Sequence, residues 1–157
     1  MLRIRGILVT VFVTLVLSGC LPPPKPTLTP LEIQSLQSRE YEATKDVVFP
    51  SVISVLQDVG YTITNADIKT GLISAESSAD SDYSFLLGVT EVSQTKATAF
   101  VEQIGSKTKA RLSFVEVIKT SSGTGQTDRQ DTPLIDAKLY ENAFNKIENA
   151  IFIRSSN

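Results

Sequence analysis

The sequence predicts an α+β fold, a two-layer sandwich in which two helices cover one face of an antiparallel sheet. Two segments carry apolar residues at helical spacing, one over residues 46–59 and one over residues 136–152. Between them lie segments with the alternating pattern of strands, separated by turn residues and not by helices. Strands connected in this way pair antiparallel, and the flanking helices bury their apolar stripes on one sheet face.

The first strand and the first helix are predicted between residues 39 and 60. Residues 39–44 alternate as a strand does, and Asp46 is expected to cap the helix that follows. Gly60 directly follows the apolar stripe, as a glycine that ends a helix does. Pro50 lies near the first turn, where the loss of an amide donor costs least. The stripe consists of Val48, Phe49, Val52, Ile53, Val55, Leu56 and Val59.

A hairpin is predicted in the middle of the chain. Residues 61–64 and 72–76 have the alternation and composition of strands, and residues 65–71 between them carry the Asn, Asp and Gly of a turn. Residues 77–82 are expected to form a polar loop. The pattern of residues 83–92 fits a strand or a short helix, and the sequence does not decide between the two.

Two further strands and a closing helix complete the predicted sandwich. Residues 96–104 and 110–119 are expected to pair across a turn at Gly105 and Ser106. Residues 121–132 are rich in Gly, Ser, Thr and Asp, which predicts a long mobile loop. Asp136 is expected to cap the last helix. The apolar face of that helix consists of Leu139, Tyr140, Ala143, Phe144, Ile147 and Ile151.

The N-terminus has the features of a bacterial lipoprotein signal. Arg3 and Arg5 precede an apolar run over residues 7–17, which as a helix spans only about 16 Å and is too short to cross a membrane comfortably. The residues before Cys20, the only cysteine of the chain, resemble a lipobox: Leu17, Ser18 and Gly19. The resemblance implies cleavage before Cys20 and acylation of its thiol, with a palmitate-type chain inserted in the lipid bilayer. The alternatives are a plain secretory signal and an N-terminal anchor helix.

These features divide the chain into three parts. Residues 1–19 are the predicted signal peptide, residues 20–38 a proline-rich tether, and residues 39–157 one α+β domain. The tether prolines fix the backbone angle φ and remove amide donors, so we expect residues 21–29 to be an extended segment that spaces the domain from the membrane. Residues 31–37 are expected to add a short helical turn or an extended lead-in. Leu21 occupies the position directly after the cysteine. In many enteric bacteria an Asp at that position resembles a signal for retention in the inner membrane. We therefore expect a lipid-anchored, periplasm-facing protein of the outer membrane.

A family resemblance rests on three stretches of the predicted domain. These are Leu56 to Ile63, Gly71 to Ala75, and a closing helix with Tyr140, Phe144 and Ile147. Together they resemble a group of uncharacterised bacterial envelope lipoproteins. Their layout is similar to the helix-grip domains of the accessory C lipoprotein of the β-barrel assembly machinery. The resemblance covers residues 39–153 and implies a helix-grip-like sandwich that serves as an interaction module of the cell envelope.

Composition excludes several classes of function. The chain has no histidine, and acylation of Cys20 would leave it without a free thiol. This removes the Ser-His and Cys-His nucleophile pairs and the usual ligands of zinc, so we expect no catalytic residues, no metal and no cofactor. Removal of the signal with its two arginines takes the formal net charge from −2 to −4. This argues against nucleic acid as a partner, which favours a basic surface.

Some short patterns imitate catalytic motifs without their context. Residues 93–96 match S-x-x-K and residues 69–71 match K-T-G, but in the wrong order for a penicillin-recognising enzyme. Residues 123–125 match the start of a dinucleotide loop that lacks its last glycine. Carboxylate-pair hydrolysis remains formally open. Its candidates are Asp80 with Asp82 and Asp128 with Asp131, which we expect to be solvated loop residues.

One set of basic residues is a candidate contact for anionic groups. Lys107, Lys109 and Arg111 alternate near the start of a predicted strand and would share one face. They would protect a sheet edge as charged residues, or contact lipid headgroups, lipopolysaccharide or an acidic partner. The sequence as a whole predicts a non-enzymatic module of an envelope protein complex. The alternative is a small-ligand binder or a carboxylate-based hydrolase of the envelope.

Overall fold

Three helices and a seven-stranded antiparallel sheet form the computed structural model of the protein, which describes residues 28–85 and 88–156. The helices are α1 (Pro30–Leu36), α2 (Lys45–Asp58) and α3 (Ala137–Ser155). The strands are β1 (Ser38–Tyr41), β2 (Thr62–Asp67), β3 (Leu72–Glu76), β4 (Asp80–Ser84), β5 (Val89–Ile104), β6 (Lys107–Ser122) and β7 (Thr127–Pro133).

The predicted fold class, an α+β sandwich with two helices, is wrong. The structure is sheet-rich, with 46% strand, seven strands and three helices in the described residues. The predicted loop over residues 121–132 contains the end of β6, a turn over residues 123–126 and most of β7, and β4 begins inside the predicted loop over residues 77–82. Residues 83–92 contain the end of β4 and the start of β5. These polar segments are strands because they pair with the long hairpin of β5 and β6.

The two longest strands divide the sheet into two regions. β5 and β6 pair along their whole length, from Val89 opposite Ser122 to Ile104 opposite Lys107. At one end they are flanked by the other strands in the order β1-β6-β5-β3-β2, and at the other end by β4 and β7. We call residues 80–84, 89–95, 115–122 and 127–133 the extension, and the rest of the described chain the body.

Helices α2 and α3 cover one face of the sheet in the body. They contact each other directly, and Arg154 of α3 donates a 2.7 Å hydrogen bond to the Ser54 hydroxyl of α2. The core between the helices and the sheet contains residues that are at most 8% exposed. Its members larger than alanine are Tyr41, Val48, Phe49, Val52, Val55, Leu56, Ile73, Val101, Leu112, Phe114, Tyr140, Phe144, Ile147 and Ile151. Burial of each such side chain contributes about 1.5–3 kcal/mol.

The ends of α2 and α3 test the predicted caps. The N-cap residue of α2 is Thr44 and not Asp46. Asp46 lies in the first turn, where its negative charge interacts favourably with the helix dipole. Gly60 follows the helix at φ +92°, and the amides of Gly60 and Tyr61 bond to the carbonyls of Gln57 and Leu56. This glycine stop was predicted. The predicted cap of α3 is also confirmed, since Asp136 accepts from the amides of the first turn.

Residues upstream of the predicted domain start belong to the folded unit. The helix α1 begins with Thr29 and Glu32 in a reciprocal capping box. Gln37 is buried and donates a 3.1 Å hydrogen bond to the Tyr140 hydroxyl. Its carbonyl accepts from the amide of Leu112, which ties the segment to β6. The fold therefore begins within the segment that was predicted to be tether.

Candidate functional site

The two fragments of the penicillin-recognising signature do not form a catalytic group. Ser93 and Lys96 are three positions apart on β5, so they lie on opposite faces of the sheet. The ammonium of Lys96 pairs with Glu76 at 2.7 Å, and the Ser93 hydroxyl donates to Glu116 at 3.3 Å. The S-x-x-K match is therefore an ordinary stretch of strand, in which the lysine does not lie beside the serine hydroxyl.

The K-T-G match is a structural turn between β2 and β3. Gly71 has φ +81°, and a Cβ on it would lie 2.1 Å from the carbonyl oxygen of Val101. The amide of Val101 bonds to the Gly71 carbonyl at 2.9 Å, so the turn is closed against β5. The glycine pattern at residues 123–125 is likewise part of the hairpin turn between β6 and β7.

The predicted carboxylate pairs lie on strands and not in loops. Asp128 and Asp131 are on opposite faces of β7, and Asp131 accepts two 2.7 Å bonds from the guanidinium of Arg129. These bonds lower the pKa of Asp131 below its ordinary value. Asp80 and Asp82 share one face of β4 and are exposed. The first pair is thus separated by the sheet, and the second lies on an open surface.

Register brings several carboxylates together on one face of the extension. Asp82 lies directly opposite Glu91, Glu91 opposite Thr120, and Thr120 opposite Asp128. One row across four strands therefore carries three acidic side chains. Asp80 and Glu116 are at even spacing from this row on β4 and β6, so they share its face. We call Asp80, Asp82, Glu91, Glu116 and Asp128 the acidic face, which sequence analysis missed because it depends on strand register.

The opposite face of the extension is apolar and basic. Val92, Val115 and Val117 alternate with the acidic-face residues along β5 and β6, and Val117 is buried. Lys119 lies opposite Val92 and Arg129 in the register. This face also carries Asp131, which is paired with Arg129, whereas the acidic face carries carboxylates without a basic residue. Neither face is covered by a helix within the described residues.

The predicted anionic-contact residues share a face, but carboxylates lie beside two of them. Lys107 pairs with Glu42 at 2.6 Å, and this contact raises the pKa of the Lys107 ammonium. Lys109 lies between Glu40 on β1 and Glu102 on β5 in the register. Arg111 lies between Ser38 and Phe100. Arg111 is therefore the member of this set that has no carboxylate directly across either neighbouring strand.

A groove opens between α2 and α3 above the sheet in the body. It encloses about 260 Å³. Its buried lining is apolar and comes from three elements: Val55 and Leu56 of α2, Leu112 and Phe114 of β6, and Ile147 of α3. Val59, Tyr61, Leu139, Asn142, Ala143 and Lys146 complete the lining and its mouth. Burial raises the pKa of the Tyr61 phenol at this mouth, and a hydrogen bond with Thr95 acts in the opposite direction.

The described residues contain neither a cluster of metal-ligating side chains nor a helix that could span a membrane. No cluster of three or more metal-ligating side chains occurs in residues 28–85 and 88–156. Over the same ranges, no helix has the length and apolarity needed to span a bilayer. Cys20 and the lipobox residues Leu17, Ser18 and Gly19 lie outside the described residues, and so does most of the predicted tether.

Comparison with known proteins gives distant structural likenesses and no sequence match. No known protein family and no curated protein sequence matches the chain. Among solved structures, the chain is similar to a DUF4468 family protein from Bacteroides ovatus ATCC 8483, with a TM-score of 0.38 and 9% sequence identity. That match covers 73% of this chain and 84% of the other. These comparisons give no evidence for similarity to the β-barrel assembly lipoprotein.

Proposed function

We propose that this protein is a lipid-anchored, non-enzymatic interaction module of the bacterial cell envelope. In this proposal Cys20 carries the acyl anchor in the outer membrane, the proline-rich segment spaces the folded unit from the bilayer, and the protein faces the periplasm. The acidic face of the extension binds a basic surface of a protein partner, as part of a larger envelope complex. The proposal needs no cofactor and no nucleic acid.

The arrangement of the acidic face is the observation that carries the proposal. Asp82 and Glu91 lie directly opposite each other, an arrangement in which like charges are unfavourable. No basic residue has its side chain on this face within the extension. A basic partner surface would neutralise the carboxylates, and complementary charge of this kind gives specificity and accelerates association. The exposed strands β4 and β7 leave the face open from both sides.

The anchor is supported by the sequence alone. A single cysteine follows a short apolar run and three residues that resemble a lipobox. Cys20→Ser is expected to abolish incorporation of labelled palmitate and to leave the protein uncleaved or released from membranes. Sucrose-gradient fractionation of the natural chain then tests the outer-membrane assignment. Labelling of the Cys20→Ser variant would contradict the anchor.

A charge-neutralising variant tests the acidic face. In Asp82→Asn/Glu91→Gln, we expect at least about a fivefold loss of the proteins that co-purify from crosslinked membranes, since charge complementarity would be reduced. The matched control is Asp58→Asn/Glu141→Gln, which makes the same charge change at exposed positions on the helices of the body. Equal recovery from the two variants, at equal abundance, would contradict the proposed surface.

A small-ligand binder is the second candidate function. The groove between α2 and α3 is the observation that favours it, because apolar concave sites with a few polar groups at the mouth are typical of ligand pockets. The structure gives no comparable support to a carboxylate hydrolase, since Asp80 and Asp82 lie on an open strand surface.

A further inference from the structure

The groove between α2 and α3 is suited to a ligand of limited size. Its volume of about 260 Å³ lies just below the range of roughly 300–1,000 Å³ that is common for drug-sized ligands. It exceeds a cavity of about 150 Å³ that accommodates a benzene ring. Scaling from that ring, the groove holds about ten carbon atoms. A single short alkyl chain meets this limit, whereas a lipid with two long chains does not.

The lining of the groove favours a ligand whose buried part is apolar. Its buried residues, Val55, Leu56, Leu112, Phe114 and Ile147, present only hydrocarbon side chains. Ala143 is the smallest side chain on the α3 side, and its size leaves room between the two helices. Val59 at the mouth is 44% exposed, so an apolar chain that entered the groove would also cover this side chain.

The mouth of the groove carries one unpaired cation. Lys146 is exposed and lines the groove beside Asn142. Within the described residues it forms no ion pair. Its helical neighbours three and four positions away are Asn142, Ala143, Asn149 and Ala150, so no carboxylate on its own helix lies within reach. An ammonium at the rim of an apolar groove is complementary to an anionic head on an apolar chain.

We propose that this groove binds a free medium-chain fatty acid, with the alkyl chain between α2 and α3 and the carboxylate at Lys146. The ligand lies in the body, on a different region from the acidic face, so the two proposals succeed or fail separately. The binding is non-covalent and requires no other group. It also gives Lys146 a role that the fold alone does not require.

Photolabelling of the full chain in phosphatidylcholine nanodiscs tests this site. A decanoic acid that carries a diazirine is expected to label peptides from α2 and α3. Ala143→Leu fills the groove and should reduce this labelling at least about fivefold. Ala137→Leu makes the same change at an exposed position of α3 and should leave labelling unchanged. A urea unfolding midpoint for each variant shows whether the fold is retained.

Competition experiments distinguish the contribution of the ligand's head group to binding from that of its alkyl chain. Unlabelled decanoate should compete about tenfold better than decanol in the natural chain, and Lys146→Gln should remove this difference without altering the fold, because Lys146 is exposed. Three results would overturn the proposal. These are absence of labelling on α2 and α3, labelling that persists in a folded Ala143→Leu variant, and equal competition by decanoate and decanol in the natural chain.

Discussion

The body and the extension share strands β5 and β6 but differ in what covers them. In the body, Ala97, Ala99 and Val101 of β5 are at most 2% exposed beneath the two helices. In the extension, the alternating positions Glu91, Ser93 and Thr95 of the same strand are polar and lie on the same face. No residue of β4 or β7 is buried. One continuous hairpin therefore runs from a hydrophobic core into a sheet that lacks one.

Because of this difference, the body provides most of the stability of the fold and the extension provides exposed surface. The body buries the apolar side chains that stabilise the fold, because transfer of apolar area from water is the main favourable term. The extension is held by the backbone ladder of β5 and β6 and by the pairing of β4 and β7. Apart from Val117, which is 2% exposed, its side chains are not buried and can vary without loss of core packing. Substitutions should therefore have large effects on stability in the body and small ones in the extension.

The largest effect is expected from Phe144 in the core of the body. Phe144 is 2% exposed, and the Arg39 guanidinium lies 5.1 Å from its ring centroid. Phe144→Ala should lower the free energy of unfolding by about 3–5 kcal/mol, through lost burial and the cavity left behind. Phe152→Ala is the control on the same helix, since Phe152 is 73% exposed, and should change it by less than about 0.5 kcal/mol. Urea titration measures both. A loss below about 1 kcal/mol for Phe144→Ala would contradict the described packing.

The elements of the body were easier to predict than those of the extension. The helices α2 and α3 have periodic apolar stripes, and Gly60 and Asp136 mark their ends with local chemistry that a sequence displays directly. β4 and β7 have no such pattern, since residues 80–84 and 127–133 are polar throughout or nearly so. Their strand conformation comes from pairing with the adjacent strand across a short turn, β4 with β5 and β7 with β6, and a polar strand of this kind has no apolar alternation to mark it. The fold class was wrong for this reason.

The candidate sites depend on non-local information. Asp82 and Glu91 belong to consecutive strands and Asp128 lies far from both in sequence, and only the register of four strands places the three in one row. The groove joins Val55, Leu112 and Leu139 from three separate elements, each of which reads as an ordinary core position. By contrast, the shared face of Lys107, Lys109 and Arg111 was predictable because it requires only alternation along one strand.

Two glycines at positive φ provide a second comparison of the regions. A Cβ on Gly71 in the body would collide with the Val101 carbonyl, whereas Gly125 in the extension has φ +85° and open space around it. Gly125→Ala should lower the free energy of unfolding by about 1 kcal/mol, the backbone cost of a residue with a Cβ at positive φ. Gly71→Ala adds displacement of β5 and should destabilise by at least about 2 kcal/mol. Thermal unfolding of the two variants under identical conditions measures the difference. Equal losses would show that the turn can move away from β5.

The smallest effect is expected at alkaline pH, from a tyrosine of the body. Tyr41 is buried and donates a 3.4 Å hydrogen bond to the Phe144 carbonyl. Burial raises the pKa of its phenol well above the ordinary value, with Arg39 acting in the opposite direction. Between the unfolded and folded pKa values the unfolded chain has lost a proton that the folded protein retains, so stability falls as pH rises above about 10.

Comparison of Tyr41→Phe with the natural chain isolates this contribution. The natural chain should lose about 1 kcal/mol more than Tyr41→Phe between pH 9 and pH 11, because the variant has no phenol at this position to titrate. The lost hydrogen bond shifts the variant by a constant amount below pH 10, so the slope is the diagnostic quantity. Tyr83→Phe, at a side chain of the extension that is 61% exposed, is the control and should keep the slope of the natural chain. Urea midpoints at pH 9, 10 and 11 measure all three proteins. Parallel curves for the natural chain and Tyr41→Phe would show that the Tyr41 phenol titrates alike in the folded and unfolded states, and that burial in the body does not protect it.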